Sequence, residues 1–103
     1  MTQTYLPIKN NVLITGVGTN MTANITAAAV LKAVPGRVAK VSVIVAGSAP
    51  GSVNDCATTG AAAAANNIFV IPNTVGVYSV DMPTNNGVTV VPGTGQTIAV
   101  SYS

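Results

Sequence analysis

The stretch Thr26–Gly47, TAAAVLKAVPGRVAKVSVIVAG, contains two apolar runs, three of the four basic residues and a Pro-Gly turn. We interpret it as a β-hairpin in which Val34 pairs with Arg37 across Pro35-Gly36. A helix over residues 26–33 competes with this interpretation because alanine is the best helix former. Pro35 and the valine-rich second half favour the strand.

The hairpin interpretation places small apolar residues on both faces of the ribbon. One face carries Ala28, Val30 and Val34 beside Ala39, Val41 and Val43, and the other carries Ala27, Ala29, Leu31 and Ala33. One face can form a core, but a lone domain seldom leaves a second apolar face to water. The pattern therefore predicts a β scaffold whose second face is covered by something larger.

Composition favours the same interpretation. With 103 residues the chain has room for one domain, 1–103, and only 6% of its residues are charged, against roughly a quarter in ordinary soluble chains. Apolar residues make up 49% and aromatic residues 4%, so the core is built from side chains that suit a pleated sheet. Because small side chains contribute less on burial and Cys56 has no disulfide partner, we expect the chain to oligomerise or to dock on a larger assembly.

The residue types exclude most catalytic chemistry. The chain has no histidine, and its acidic residues are Asp55 and Asp81 alone. Histidine-dependent triads and most zinc sites are thereby removed, and two aspartates on different elements make a weak pair. We predict no enzyme activity, no cofactor and no metal, with Asp55 acting as a local hydrogen-bond acceptor.

The charge pattern limits the partners. A formal net charge of +2 is too small for a nucleic-acid footprint, and no apolar run approaches the length of a membrane span. The start of the chain lacks the features of a secretory signal, so we expect synthesis in the cytoplasm unless a leader has been removed. Lys32, Arg37 and Lys40 are predicted to gather at the hairpin tip, where they keep the tip soluble or contact an acidic partner.

The remaining chain predicts short strands separated by Pro-Gly and Asn-Gly turns. Their predicted segments are 11–18, 68–71, 76–82, 88–91 and 97–102, with residues 19–24 as a polar connection. The Asn86-Gly87 pair is a hairpin signal, and residues 88–91 and 97–102 are predicted to pair around the turn at 92–95. Residues 51–55 fit a small strand or a turn, and the alanine run at 61–65 fits a short helix or a loop. We predict an all-β protein, an antiparallel β-sandwich or barrel-like domain of about 7–8 short strands.

Four segments carry a resemblance to a known class of proteins. They are Val41–Gly47, Gly51–Asp55, Ile71–Tyr78 and Gly87–Tyr102. Over this part, from Val41 to the last residue, the chain resembles small virion proteins of tailed bacteriophages, namely head decoration or cement proteins and related β-sandwich head components. The resemblance implies a β domain, often trimeric, that lies on the capsid surface of the virion and bridges major capsid subunits.

On this basis we expect a structural virion protein that is made in the host cytoplasm and forms a homo-oligomer, with a trimer favoured. It is expected to stabilise the capsid by binding the major capsid protein. Residues 1–11, with Tyr5, Leu6 and Ile8, are predicted to form an extended arm that orders on docking, and Lys32, Arg37 and Lys40 complete the predicted interface. The alternative is a carbohydrate- or receptor-binding β-sandwich module on a virion or cell surface, with Tyr78 and Tyr102 as sugar platforms.

Overall fold

The computed structural model describes residues 18–103, which form eight antiparallel strands in two four-stranded sheets. The strands are β1 (Asn20–Ile25), β2 (Ala29–Lys32), β3 (Gly36–Val45), β4 (Gly51–Asn54), β5 (Asn67–Ile71), β6 (Gly76–Thr84), β7 (Val88–Val91) and β8 (Thr97–Tyr102). Two 3-10 turns, Thr59–Ala61 and Ala64–Asn66, lie between β4 and β5. The predicted all-β sandwich is confirmed, and the sheets do not close into a barrel.

The strand order is that of a jelly roll. The first sheet is ordered β1-β8-β3-β6 and the second β2-β7-β4-β5. The chain pairs with itself as one long hairpin that reverses between β4 and β5, so that β1 meets β8, β2 meets β7 and β3 meets β6. Rolling this hairpin up adds the β3–β8 and β4–β7 pairings. Two sheets of four strands joined this way form the jelly-roll architecture.

The hairpin predicted over residues 26–47 is wrong. β2 lies in the second sheet and β3 in the first, so Pro35-Gly36 connects the two sheets. The predicted face is wrong for β2 as well, since Ala29 and Leu31 pack against the core whereas Val30 is exposed. A strand has two ladder edges, and both edges of β3 are taken by the longer strands β6 and β8.

Two other predicted hairpins fail in the same way. The Asn86-Gly87 turn joins β6 of the first sheet to β7 of the second, and the 92–95 turn leads from β7 back to β8. Among the described strands, only β4 and β5 are both consecutive and paired. The predicted polar connection at 19–24 is also wrong, because residues 20–25 form β1. The sequence predicts the turns correctly. The sheet that the strand after each turn joins is determined by the tertiary structure.

The core lies between the sheets and consists of valine and isoleucine. Its buried cluster is Ile25, Val38, Val41, Val43, Val53, Ile71, Val88, Val90, Ile98 and Val100. Alternation along β3, β7 and β8 points every second side chain inward. Phe69, Tyr78 and Tyr102 are half-buried and pack against this cluster. The small aliphatic core inferred from composition is thus observed.

Candidate functional site

Of the predicted interface residues, the structure describes Lys32, Arg37 and Lys40, and these are divided between the two sheets. Tyr5, Leu6 and Ile8 lie outside the described residues, as do residues 11–17 of the predicted first strand. The hairpin tip that was to gather Lys32, Arg37 and Lys40 does not exist. Lys32 is on β2 of the second sheet, while Arg37 and Lys40 are on β3 of the first.

Arg37 and Lys40 bind neighbouring groups of the same sheet. The Arg37 Nη2 donates to the Asp81 carbonyl oxygen over 2.9 Å, and the Lys40 Nζ donates to the Ser79 hydroxyl over 3.1 Å. Both acceptors belong to β6, the strand beside β3. These side chains therefore stabilise the β3–β6 pairing as well as placing charge on the outer face of the first sheet.

The other end of that face is apolar. Ile44 is 56% exposed, Val45 49%, Val75 63% and Val77 66%. We call these four residues the apolar corner. Ser42 lies opposite Val77 in the ladder, and Ile44 follows Ser42 on the same face of β3, so Ile44 and Val77 are diagonal neighbours.

Local irregularity widens this corner. Between β3 and β8 the register shifts after Val43, which pairs with Ile98, so that Val45 pairs with Thr97. Such a bulge leaves an extra residue in one strand and turns consecutive side chains to solvent. Ile44 and Val45 are accordingly both exposed, although they are adjacent in sequence. A regular strand would have buried one of them.

The corner carries no charge. Its four members are aliphatic, and the last charged residue of β3 before it is Lys40, four residues from Ile44, or about 13 Å along a strand. The first sheet thus has an outer face with a charged end and an apolar end. The apolar face expected on the 26–47 hairpin is not this one, since Ala29 and Leu31 of that face pack against the core.

The outer face of the second sheet is different because the chain itself covers part of it. Asn54 and Thr89 are paired across the β4–β7 ladder and are almost completely buried. The segment 55–66 that follows β4 closes over them, and the Thr89 hydroxyl donates to the Cys56 carbonyl oxygen over 2.9 Å. Cys56 is buried in the same segment, where its Sγ donates to the Thr58 carbonyl oxygen over 3.3 Å.

Asp55 joins two loops at one end of the sandwich. Its carboxylate accepts backbone N–H bonds from Asn85 at 3.0 Å, from Asn86 at 2.7 Å and from Gly87 at 3.3 Å. We call this arrangement the Asp55 clasp. Asp55 does accept hydrogen bonds, but the prediction of a local acceptor is wrong, because the donors lie 30 to 32 residues away in sequence.

The electrostatics of the clasp favour the ionised carboxylate. Partial burial alone would raise the pKa of Asp55, but the three backbone hydrogen bonds outweigh burial and lower the pKa below its ordinary value. A group whose pKa falls on folding stabilises the folded state while it is ionised. The clasp is therefore a charged connection between the β4–β5 segment and the β6–β7 turn.

Gln96 makes the corresponding connection at the opposite end. Its Oε1 accepts the Gly93 N–H over 3.0 Å, and its Nε2 donates to the Pro72 carbonyl oxygen over 3.0 Å. The side chain is 1% exposed. A buried neutral amide with both ends bonded holds the 92–96 loop to the segment that follows β5.

Sequence reasoning missed the apolar corner. The alternation along residues 76–82 predicts Val77 on the same side as Ser79 and Asp81, opposite Tyr78 and Val80, and the structure does expose Val77. A valine on the polar side of a strand is the signal from which an exposed apolar surface could have been predicted. The Gln96 connection had no comparable signal, because its partner Pro72 lies 24 residues away in sequence.

The tyrosines considered as sugar platforms contribute to the fold. The Tyr78 hydroxyl donates to the Thr74 carbonyl oxygen over 2.7 Å, and the Tyr102 hydroxyl lies 3.4 Å from the Thr22 hydroxyl. In residues 18–103, no three histidine, cysteine, aspartate or glutamate side chains come together in a group suited to a metal ion. The same residues contain no helix with the length and apolar character to cross a membrane.

Comparison with known proteins does not place this chain in a family. No family model, curated protein or solved structure matches it.

Proposed function

We propose that this protein is a structural virion protein, a head decoration or cement protein of a tailed bacteriophage that binds major capsid subunits as a homo-oligomer. The observation that carries the proposal is the uncharged apolar corner, which residues 18–103 leave exposed on the outer face of the first sheet. Exposed apolar clusters on a small protein mark interaction sites. The corner is the contact between copies, and three copies is the expected state.

The charge distribution supports contact between identical surfaces. Because the corner contains no ionisable side chain, two copies meet there without like-charge repulsion and without desolvating an ion. The core of Val and Ile is modest for a domain that lacks a disulfide, since Cys56 is a free thiol. Burial at subunit contacts then adds stability through mass action.

The jelly-roll connectivity is compatible with the proposed function but is not evidence for it. Jelly rolls occur in viral capsid proteins and also in lectins, and a fold hosts unrelated functions. The lectin alternative depended on Tyr78 and Tyr102, which are half-buried and pack against the core. No feature of residues 18–103 specifically favours that alternative.

Sedimentation of a matched pair of variants tests the role of the corner. Val77→Lys places a charge in the apolar corner, whereas Val70→Lys places the same charge on β5, an edge strand of the second sheet, where Val70 is 58% exposed. We expect the wild type and Val70→Lys to sediment as oligomers and Val77→Lys to dissociate. Circular dichroism checks that both variants keep the fold.

Binding to particles tests the larger claim. The wild type is mixed with capsids that lack decoration and is pelleted with them, and bound protein is counted by electron microscopy. We expect Val77→Lys to bind with lower occupancy than Val70→Lys. A wild type that stays monomeric and remains in the supernatant would falsify the proposed function.

A further inference from the structure

The turn that Asp55 binds contains an Asn-Gly dipeptide, which is prone to deamidation. Asn86-Gly87 is the single Asn-Gly in the sequence. An asparagine before glycine is prone to lose its side-chain ammonia, because glycine has no side chain to hinder attack by its own backbone nitrogen. In the structure, Asn86 is exposed to water whereas Gly87 is buried.

The reaction has two steps, and water is its only co-reactant. The Gly87 nitrogen loses its proton and attacks the side-chain carbonyl carbon of Asn86, so that a C–N bond forms and the bond to the side-chain nitrogen breaks. That nitrogen takes up one proton, equivalent to the one lost from Gly87, and leaves as ammonia, so that a five-membered succinimide remains. Water then opens one of the two C–N bonds of the ring to give aspartate or isoaspartate.

The Asp55 clasp opposes the first step electrostatically. The Gly87 N–H donates to Asp55 Oδ1 over 3.3 Å, and the same oxygen accepts the Asn86 N–H over 2.7 Å. Removing the Gly87 proton would create a negative nitrogen beside an ionised carboxylate, and like charges at this separation disfavour ionisation. The nucleophile is therefore held in its unreactive form.

Packing opposes the rotation that the attack requires. A Cβ placed on Gly87 would lie 2.6 Å from both the Cys56 and Lys32 carbonyl oxygens. The Gly87 backbone is thus in close contact with two other segments of the chain. Its nitrogen has little freedom to turn toward the Asn86 side chain while the clasp is closed.

We propose that Asn86 is a latent deamidation site and that the Asp55 carboxylate protects it in the folded protein. Deamidation follows opening of the clasp and then prevents reclosure. An aspartate at position 86 adds a negative charge near Asp55, and an isoaspartate lengthens the backbone between the donors. A transient opening of the Asp55 clasp thereby becomes permanent, because the deamidated turn cannot bind Asp55 again.

Peptide mapping by mass spectrometry tests the proposal on the full chain at mildly alkaline pH. Deamidation at residue 86 is followed in the native wild type, the urea-unfolded wild type, Asp55→Asn and Asp55→Ala. Asp81→Asn is the matched control, because it removes the same charge elsewhere and asparagine tolerates the positive φ of 51° at that position. Circular dichroism verifies the fold of each variant.

We expect slow deamidation in the native wild type and in Asp81→Asn, faster reaction in Asp55→Asn, and a rate near that of the unfolded chain in Asp55→Ala. Amide hydrogen exchange of Gly87 in the wild type gives a second measurement that needs no variant, and we expect it to be slowed. The proposal is overturned if a folded Asp55 variant deamidates at the wild-type rate. It is equally overturned if the Gly87 amide of the wild type exchanges as fast as in an unfolded chain.

Discussion

The two ends of the sandwich are closed by different chemistry. At one end, buried and neutral Gln96 connects the 92–96 loop to Pro72. At the other, the half-buried, ionised Asp55 connects the 55–66 segment to the 85–87 turn. The Gln96 end depends on close packing and buried hydrogen bonds, whereas the Asp55 end depends on the charge of a carboxylate. The ends should therefore respond differently to substitution and to pH.

The largest effect is expected at the Gln96 end, where backbone segments touch. A Cβ on Gly93 would collide with the carbonyl oxygen of Ala49, so Gly93→Ala forces the 46–50 and 92–96 loops apart. We expect a loss of about 3 kcal/mol in the free energy of unfolding, measured by urea denaturation. Gly60→Ala is the control, since a Cβ at Gly60 meets nothing within 4 Å; equal losses in the two variants would contradict the close contact.

A smaller effect is expected from the Gln96 side chain itself. Gln96→Leu keeps a similar volume but leaves the Gly93 N–H and the Pro72 carbonyl oxygen without this partner. We expect a loss of about 2 kcal/mol. The loss should be the same at pH 7 and pH 4, because no titrating group takes part. A loss that shrank toward acid would show that charge contributes at this end as well.

The smallest effect, and the one that varies with pH, is expected at the other end. The pKa of Asp55 is lowered in the folded protein, so its stabilisation is present at neutral pH and is lost as the pH falls below about 4. We expect Asp55→Asn, which keeps the side-chain oxygen but removes its charge, to cost about 1 kcal/mol at pH 7, because hydrogen bonds to a charged group contribute more than those to a neutral one. Acid should reduce the difference from the wild type.

Urea denaturation at a series of pH values measures this trend. Asp81→Asn should remain within about 0.5 kcal/mol of the wild type at neutral pH. If the difference in the free energy of unfolding between Asp55→Asn and the wild type grew as the pH fell, an ionised Asp55 could not be what stabilises the clasp.

The sequence by itself determined the fold class and the composition of the core. Valine and isoleucine alternating between Pro-Gly turns stabilise paired strands with one buried face, and residues 76–82 and 97–102 were recognised on that basis. Successive side chains of a strand point to opposite faces whichever strands pair, so alternation can be recognised without knowing the sheet topology. The acceptor role of Asp55 was also readable, because a lone carboxylate in a turn-rich chain binds backbone N–H groups.

Only the tertiary structure decided which strands pair. Residues 26–47, 76–91 and 88–102 each suggested a hairpin, yet each turn carries the chain from one sheet to the other. A turn specifies a reversal, whereas pairing depends on how many ladder bonds and how much buried area the competing partners offer. β3, with ten residues, gains more from β6 and β8 than from four-residue β2. The apolar corner, the clasp and the Gln96 connection follow from that choice, because each joins segments that are distant in sequence.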